Sequence, residues 1–167
     1  MKTLLAMLGA CAALAGCATP DGSGVVGGSS TIREVEAAMG VPAMRVAQPD
    51  GGSVLYYPSG PLGRQSYAVT VGANGVVRSV EQRLTLANYN RLRVGTTSAR
   101  EVAEIFGPAE RSTMSYLPLQ KRDVWEYKWL DYQEKRIFWF QFSDDGILRE
   151  TLNSRDDFHE SPGAAMP

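Results

Sequence analysis

The sequence predicts an α+β fold. It reads as two tandem units, each a helix followed by a three-stranded antiparallel meander, with the helices packed on one face of the sheet or sheets. Three observations predict this. The segment Gly28-Ser-Ser-Thr-Ile-Arg-Glu-Val-Glu-Ala-Ala-Met-Gly-Val-Pro42 returns as Gly95-Thr-Thr-Ser-Ala-Arg-Glu-Val-Ala-Glu-Ile-Phe-Gly-Pro-Ala109, with Gly28/Gly95, Arg33/Arg100, Glu34/Glu101, Val35/Val102 and Gly40/Gly107 each 67 residues apart. Runs of alternating apolar residues follow each segment, as half-buried strands require. Asn74-Gly75 and Asp145-Gly146 then supply hairpin turns before the last run of each half.

The chain starts with Met1-Lys2, an apolar run from Leu4 to Leu14, and Leu14-Ala15-Gly16-Cys17. A positive start, a short apolar core and small residues mark a secretory signal that is removed. The ending resembles the lipobox of bacterial lipoproteins, which implies acylation at Cys17 and loss of residues 1–16. That leaves 151 residues, the size of one ordinary domain or two small ones. Cys11 leaves with the signal, so no internal disulfide can form and burial alone must hold the core. Residues 17–27 are expected to be the lipidated cysteine and a flexible tether, rich in Gly, Ser and Pro. Residues 28–84 are the first unit, 85–155 the second, and 156–167 a flexible tail.

Each unit opens on a helix signal. Thr31 with Glu34, and Ser98 with Glu101, are capping boxes, in which hydroxyl and carboxylate reciprocally satisfy free N–H groups. Val35, Ala38 and Met39, then Val102, Ile105 and Phe106, make one apolar stripe per helix. Gly40 and Gly107 are expected as left-handed caps. The first meander is read as Val54–Tyr57, Tyr67–Val71 and Val76–Val80. Thr85–Leu92 is read as a short extra helix with Leu86, Tyr89 and Leu92 on its face. The second meander is Asp123–Trp129, Arg136–Phe142 and Ile147–Leu152. Gly75 and Gly146 are 71 apart, so about four residues are inserted in the second half, most simply in a loop over Tyr116–Arg122.

On these residues the chain resembles the SmpA/OmlA family, the small lipoprotein of the β-barrel assembly machinery. The carriers are the lipobox, Gly95–Pro108 and Gly28–Pro42 as the helix motif, Trp125/Tyr127 as a Trp-x-Tyr element, and the Asp145-Gly146 turn. Leu55/Tyr57 replaces Trp-x-Tyr in the first half. The family has one such unit and this chain reads as two, an arrangement similar to the β-lactamase inhibitor protein fold. The resemblance implies a periplasmic lipoprotein held in the outer membrane. Ala18, where an Asp favours inner-membrane retention in the enterobacterial pattern, agrees with the outer membrane.

Composition excludes several functions. Net charge is −1 with acids and bases interspersed, so there is no basic footprint for nucleic acid. The sole histidine, His159, lies in the tail, and the mature chain has no free thiol, so no Ser-His-Asp or Cys-His set can assemble. No cysteine pair is available for zinc, and Asp144-Asp145-Gly146 lacks the remaining spacing of a calcium loop. The expectation is a non-enzyme with no cofactor, metal or small-molecule substrate.

What remains is surface. If Phe138, Phe140 and Phe142 face the helices, then Ile137, Trp139 and Gln141 line the opposite face, with Ala68 and Thr70 equivalent in the first half. An exposed Trp among apolar and amide groups has the composition of a binding hot spot; the alternative is that the Tyr116–Arg122 loop or a terminus covers it. The expected partners are the membrane lipid, through acylated Cys17, and an envelope protein, the β-barrel assembly machinery being the one the resemblance implies. The alternative function is an inhibitor that grips a periplasmic or secreted enzyme in a concave sheet. Substituting Cys17→Ser should move the protein out of the membrane fraction on cell fractionation, and firm retention there would contradict the anchor.

Overall fold

The computed structural model describes residues 21–157. Their order is α1 (Ile32–Met39), β1 (Met44–Ala47), β2 (Ser53–Pro58), β3 (Ser66–Val71), β4 (Val77–Gln82), α2 (Leu86–Tyr89), α3 (Ala99–Phe106), a 3-10 turn over Arg111–Thr113, β5 (Met114–Leu117), β6 (Arg122–Asp131), β7 (Glu134–Ser143) and β8 (Leu148–Arg155). The strands form two separate antiparallel sheets, β1-β2-β3-β4 and β5-β6-β7-β8. The fold is thus mixed α+β. Each sheet has four strands where the sequence predicts three, the additions being the edge strands β1 and β5. The expected loop over Tyr116–Arg122 is in part strand: Tyr116 and Leu117 pair with Asp123 and Arg122.

The capping boxes form as the sequence predicts. Thr31 N donates to Glu34 Oε2 at 2.6 Å, and Ser98 N to Glu101 Oε2 at 2.7 Å. Gly40 and Gly107 both have positive φ, 84° and 91°, but their ψ values are extended rather than left-handed helical. That region is essentially closed to residues with a Cβ. The chain ahead of each helix is pinned to the last strand of its sheet. Gly28 N donates to Val77 O and Gly95 N to Leu148 O, both at 2.8 Å, and Thr31 and Ser98 bridge Val76 and Ile147.

Burial follows from these attachments. Val35 and Met39 of α1 pack on Leu55, Tyr57, Val69, Val71 and Val77, one face of the first sheet. Val102 and Phe106 of α3 pack on Tyr127, Trp129, Phe138, Phe140, Phe142 and Leu148, one face of the second. Full burial of such side chains is worth about 1.5–3 kcal/mol each. Tyr89 of α2 stacks on Phe138 with ring centroids 4.8 Å apart. The short helix is therefore built, although Leu86 points to solvent. The chain entering α1 is more ordered than a tether: Val25 packs against the α1 cluster and Val26 N donates to Ser30 Oγ at 2.9 Å.

The halves meet through α3, whose other side lies against the first sheet. Tyr56 Oη donates to Glu104 O, and Arg83 Nε donates to Ile105 O at 2.8 Å. From the second sheet, Tyr127 Oη donates to Gly107 O at 2.9 Å. A second seam joins the β2–β3 loop to the far end of the second sheet. Arg64 pairs with Asp156 Oδ2 and reaches Trp129 O and Arg136 O at 3.4 and 3.3 Å. Asp156 is buried, so the folded body includes the first residue of the expected tail. Its Oδ1 has no hydrogen-bond partner among the described residues. Arg64→Ala would leave that carboxylate buried and unpaired. It should cost about 3–5 kcal/mol in denaturant unfolding, and an unchanged midpoint would contradict the seam.

Candidate partner-binding face of the second sheet

β6, β7 and β8 carry the face that points away from α3. Period-two alternation puts Phe138, Phe140 and Phe142 inward and Ile137, Trp139 and Gln141 outward. Register then fixes the neighbours. Trp139 lies between Glu126 and Leu152, Ile137 between Lys128 and Ser154, and Gln141 between Val124 and Glu150. Trp139 is half-buried, with its indole N–H donating to Ser154 Oγ at 3.3 Å. Leu152 beside it is 55% exposed, whereas Val124 and Ile137 are buried. The face therefore sets Trp139 beside exposed Leu152, with Ile137 and Val124 buried on the same face and Glu126, Lys128, Gln141 and Glu150 around them.

Ala68 and Thr70 do not join this face. They sit on the first sheet, opposite Tyr56 and Val54 respectively. That is the side of Tyr56, which contacts α3; Ala68 is buried and Thr70 half-buried. The sequence reading grouped all five as candidate binding residues, with Ala68 and Thr70 as the first-half equivalents. The structure separates them because the sheets have independent ladders and α3 lies over the first. Of the three aromatic residues on the inner face of β6, Tyr127 and Trp129 are core, and Trp125 is half-buried with its ring 4.7 Å from Phe142. Cys17, Ala18 and His159 lie outside the described residues.

Sequence reasoning missed a second concavity, between the first sheet and α3. It consists of two adjoining grooves of about 310 and 340 Å³ that share Val46 and Glu104. Val54, Tyr56 and Ile105 line one, and Met44, Arg100 and Ala103 the other. The available signal was the run Leu55-Tyr56-Tyr57, since consecutive buried residues mean a strand covered on both faces.

The shifted groups among the described residues are mostly held by helix caps, a turn or burial. Glu34 and Glu101 are held below the ordinary carboxylate range by hydrogen bonds from the backbone and then the side chain of their capping residue. Asp145 is lowered chiefly by the Ser143 hydroxyl. Burial pushes Tyr57 up to about 12, and Tyr127 rises for the same reason. These shifts carry carboxylates down and phenols up, away from the neutral range a general acid or base needs. Among the described residues no group of three His, Cys, Asp or Glu side chains could hold a metal ion, and no helix is long and apolar enough to cross a membrane.

No protein-family model matches this chain, and no curated protein matches it. The outer face sets a tryptophan beside an exposed leucine, on a sheet whose other face carries an aromatic core.

Proposed function

We propose that this chain is a lipoprotein anchored to the outer membrane on its periplasmic side. In this reading it is a non-enzymatic scaffold that binds an envelope protein and so supports outer-membrane assembly or integrity. The observation that carries the binding half is the outer face of β6–β8, where Trp139 stands beside exposed Leu152 with Glu126, Lys128, Gln141 and Glu150 around them. Hot spots favour this arrangement, an aromatic anchor surrounded by groups that exclude water. The lipobox ending at Cys17 supports the anchoring half. Three acyl chains on a lipoprotein cysteine hold firmly, where a single chain binds only marginally.

The same reading takes the body as a duplicated helix-plus-meander unit. Matched hydrogen bonds support the duplication. Gly72 N to Val76 O answers to Ser143 N to Ile147 O, and Gly75 N to Gly72 O answers to Gly146 N to Ser143 O. Register shifts fall at Thr70/Val71 and again at Gln141/Phe142. Duplication supplies two sheets, and α3 takes up one face of the first, leaving the outer face of the second for a partner. An inhibitor gripping an enzyme in one concave sheet fits less well, because the two ladders are separate.

A photo-crosslinking residue placed at Trp139 or Gln141 in intact cells should capture one recurrent envelope protein. Probes on the inner positions of β7 should capture none. Absence of any adduct from Trp139 and Gln141 would overturn the outer-face reading.

A further inference from the structure

The described chain begins at Asp21 and is fixed at once. Gly22 is buried, so close to Val80 of β4 and Met39 of α1 that a Cβ on it would come within 2.9 Å of Val80 Cγ1. Four residue steps separate Asp21 from Cys17, a reach of at most about 14 Å. A folded body the length of residues 21–157 has a radius of gyration of about 14 Å and is more than about 30 Å across. Lipidation of Cys17 would therefore hold the entry point at Asp21 on the half of the body nearest the bilayer.

Topology places that entry at one end of the molecule. Val80 lies near the close of β4, at the end of the first sheet that carries the β2–β3 loop. Met39 closes α1 there, and the link to β1 leads to Ala43, whose N–H donates to Tyr56 O near the close of β2. Arg64 of the β2–β3 loop reaches Trp129 O and Arg136 O, beside the β6–β7 hairpin. The α1–β1 link, the β2–β3 loop and the β6–β7 hairpin thus share one end with the entry of the chain.

That end also carries exposed apolar side chains. Among the described residues four large ones are more than three-quarters exposed: Val41 at 91%, Leu62 at 78%, Leu119 at 95% and Tyr132 at 95%. Val41, Leu62 and Tyr132 sit in the α1–β1 link, the β2–β3 loop and the β6–β7 hairpin, whereas Leu119 lies beyond the opposite end of β6. Tyr132 holds a φ of 54° in a two-residue loop, a conformation that favours glycine or asparagine. Its ring gains no burial from the body in return. Charge at this end balances, with Asp131, Glu134 and Asp157 against Lys135, Arg136 and Arg155.

We propose that this end of the molecule rests on a lipid bilayer, with Val41, Leu62 and Tyr132 in the headgroup region. The inference deepens the anchoring half of the reading above and rests on it: lipidation of Cys17 sets the distance, and the exposed tips supply the contact. Exposed apolar groups gathered on one surface mark such sites. Tyrosine suits the membrane–water interface, because its ring is apolar and its hydroxyl can stay wet.

The test uses the full lipidated chain with Tyr132→Cys, Leu62→Cys or Leu119→Cys, each the sole free thiol once Cys17 is acylated and Cys11 removed. Each is labelled with an environment-sensitive fluorophore. The chain is placed in phosphatidylethanolamine–phosphatidylglycerol vesicles that carry a nitroxide near the headgroup. At about 3.4 Å per residue, β6 puts roughly 30 Å between the hairpin and the turn that holds Leu119. The labels at positions 132 and 62 should shift to shorter wavelength and lose most of their emission to the nitroxide, while the label at 119 keeps nearly all of it. Flotation is read on the same samples. A chain that floats with positions 132 and 62 quenched no more than 119 would overturn the contact and leave the anchor standing. A shift without quenching would overturn it too, since the chain's own residues beyond Asp157 would then be the cover. A chain that does not float would overturn the anchor and the contact together.

Discussion

The carbonyl groups at the C-terminal end of α3 impose the constraint on which the rest of the structure depends. A helix leaves its last four carbonyls without intrahelical donors, and burying them unpaired is costly. The end of α3 is buried, with Phe106 and Gly107 out of solvent. Donors therefore have to come from around it. Gly107 N serves Ala103 O, Tyr56 Oη serves Glu104 O, Arg83 Nε serves Ile105 O, and Tyr127 Oη serves Gly107 O. Two of those side chains belong to the first half and one to the second. The guanidinium also places a positive charge at the negative end of the helix dipole. Gly107 itself admits no substituent, because a Cβ would come within 2.6 Å of Ser66 Oγ in the first half.

This arrangement decides which surfaces face outward. α1 covers one face of the first sheet, and α3 meets the other at Tyr56, so the first sheet is buried on both sides along Leu55-Tyr56-Tyr57. The second sheet carries its aromatic core on the inner face, and Val124 and Ile137 of its outer face are buried as well. Around Trp139 and Leu152 its outer face is the surface proposed for a partner. The Arg64–Asp156 pair then fixes the β2–β3 loop against the opposite end of the second sheet, so the halves are joined at two separated points.

Local signals were legible in the sequence, and long-range ones were not. The capping boxes could be read because Thr31 with Glu34 and Ser98 with Glu101 act within one turn. β6 and β7 could be read because a buried inner face enforces alternation, and β2–β4 as apolar runs bounded by turn residues. β1 and β5 were missed because each is a four-residue edge. Met44-Arg45-Val46-Ala47 and Met114-Ser115-Tyr116-Leu117 alternate in burial weakly or not at all. The outward position of Trp139 followed from parity alone. The placement of Ala68 and Thr70 did not, since it depends on α3 lying against a sheet some 40 residues earlier in the chain. Arg64 sits among glycine, proline and glutamine, and nothing in that context points to Asp156, 92 residues away.

If α3 is shared between the sheets, the two halves cannot unfold separately. Differential scanning calorimetry of the full chain measures this directly. The account predicts one transition whose calorimetric enthalpy equals its van't Hoff enthalpy, the signature of a single cooperative unit. Two resolved transitions, one for each sheet, would contradict it.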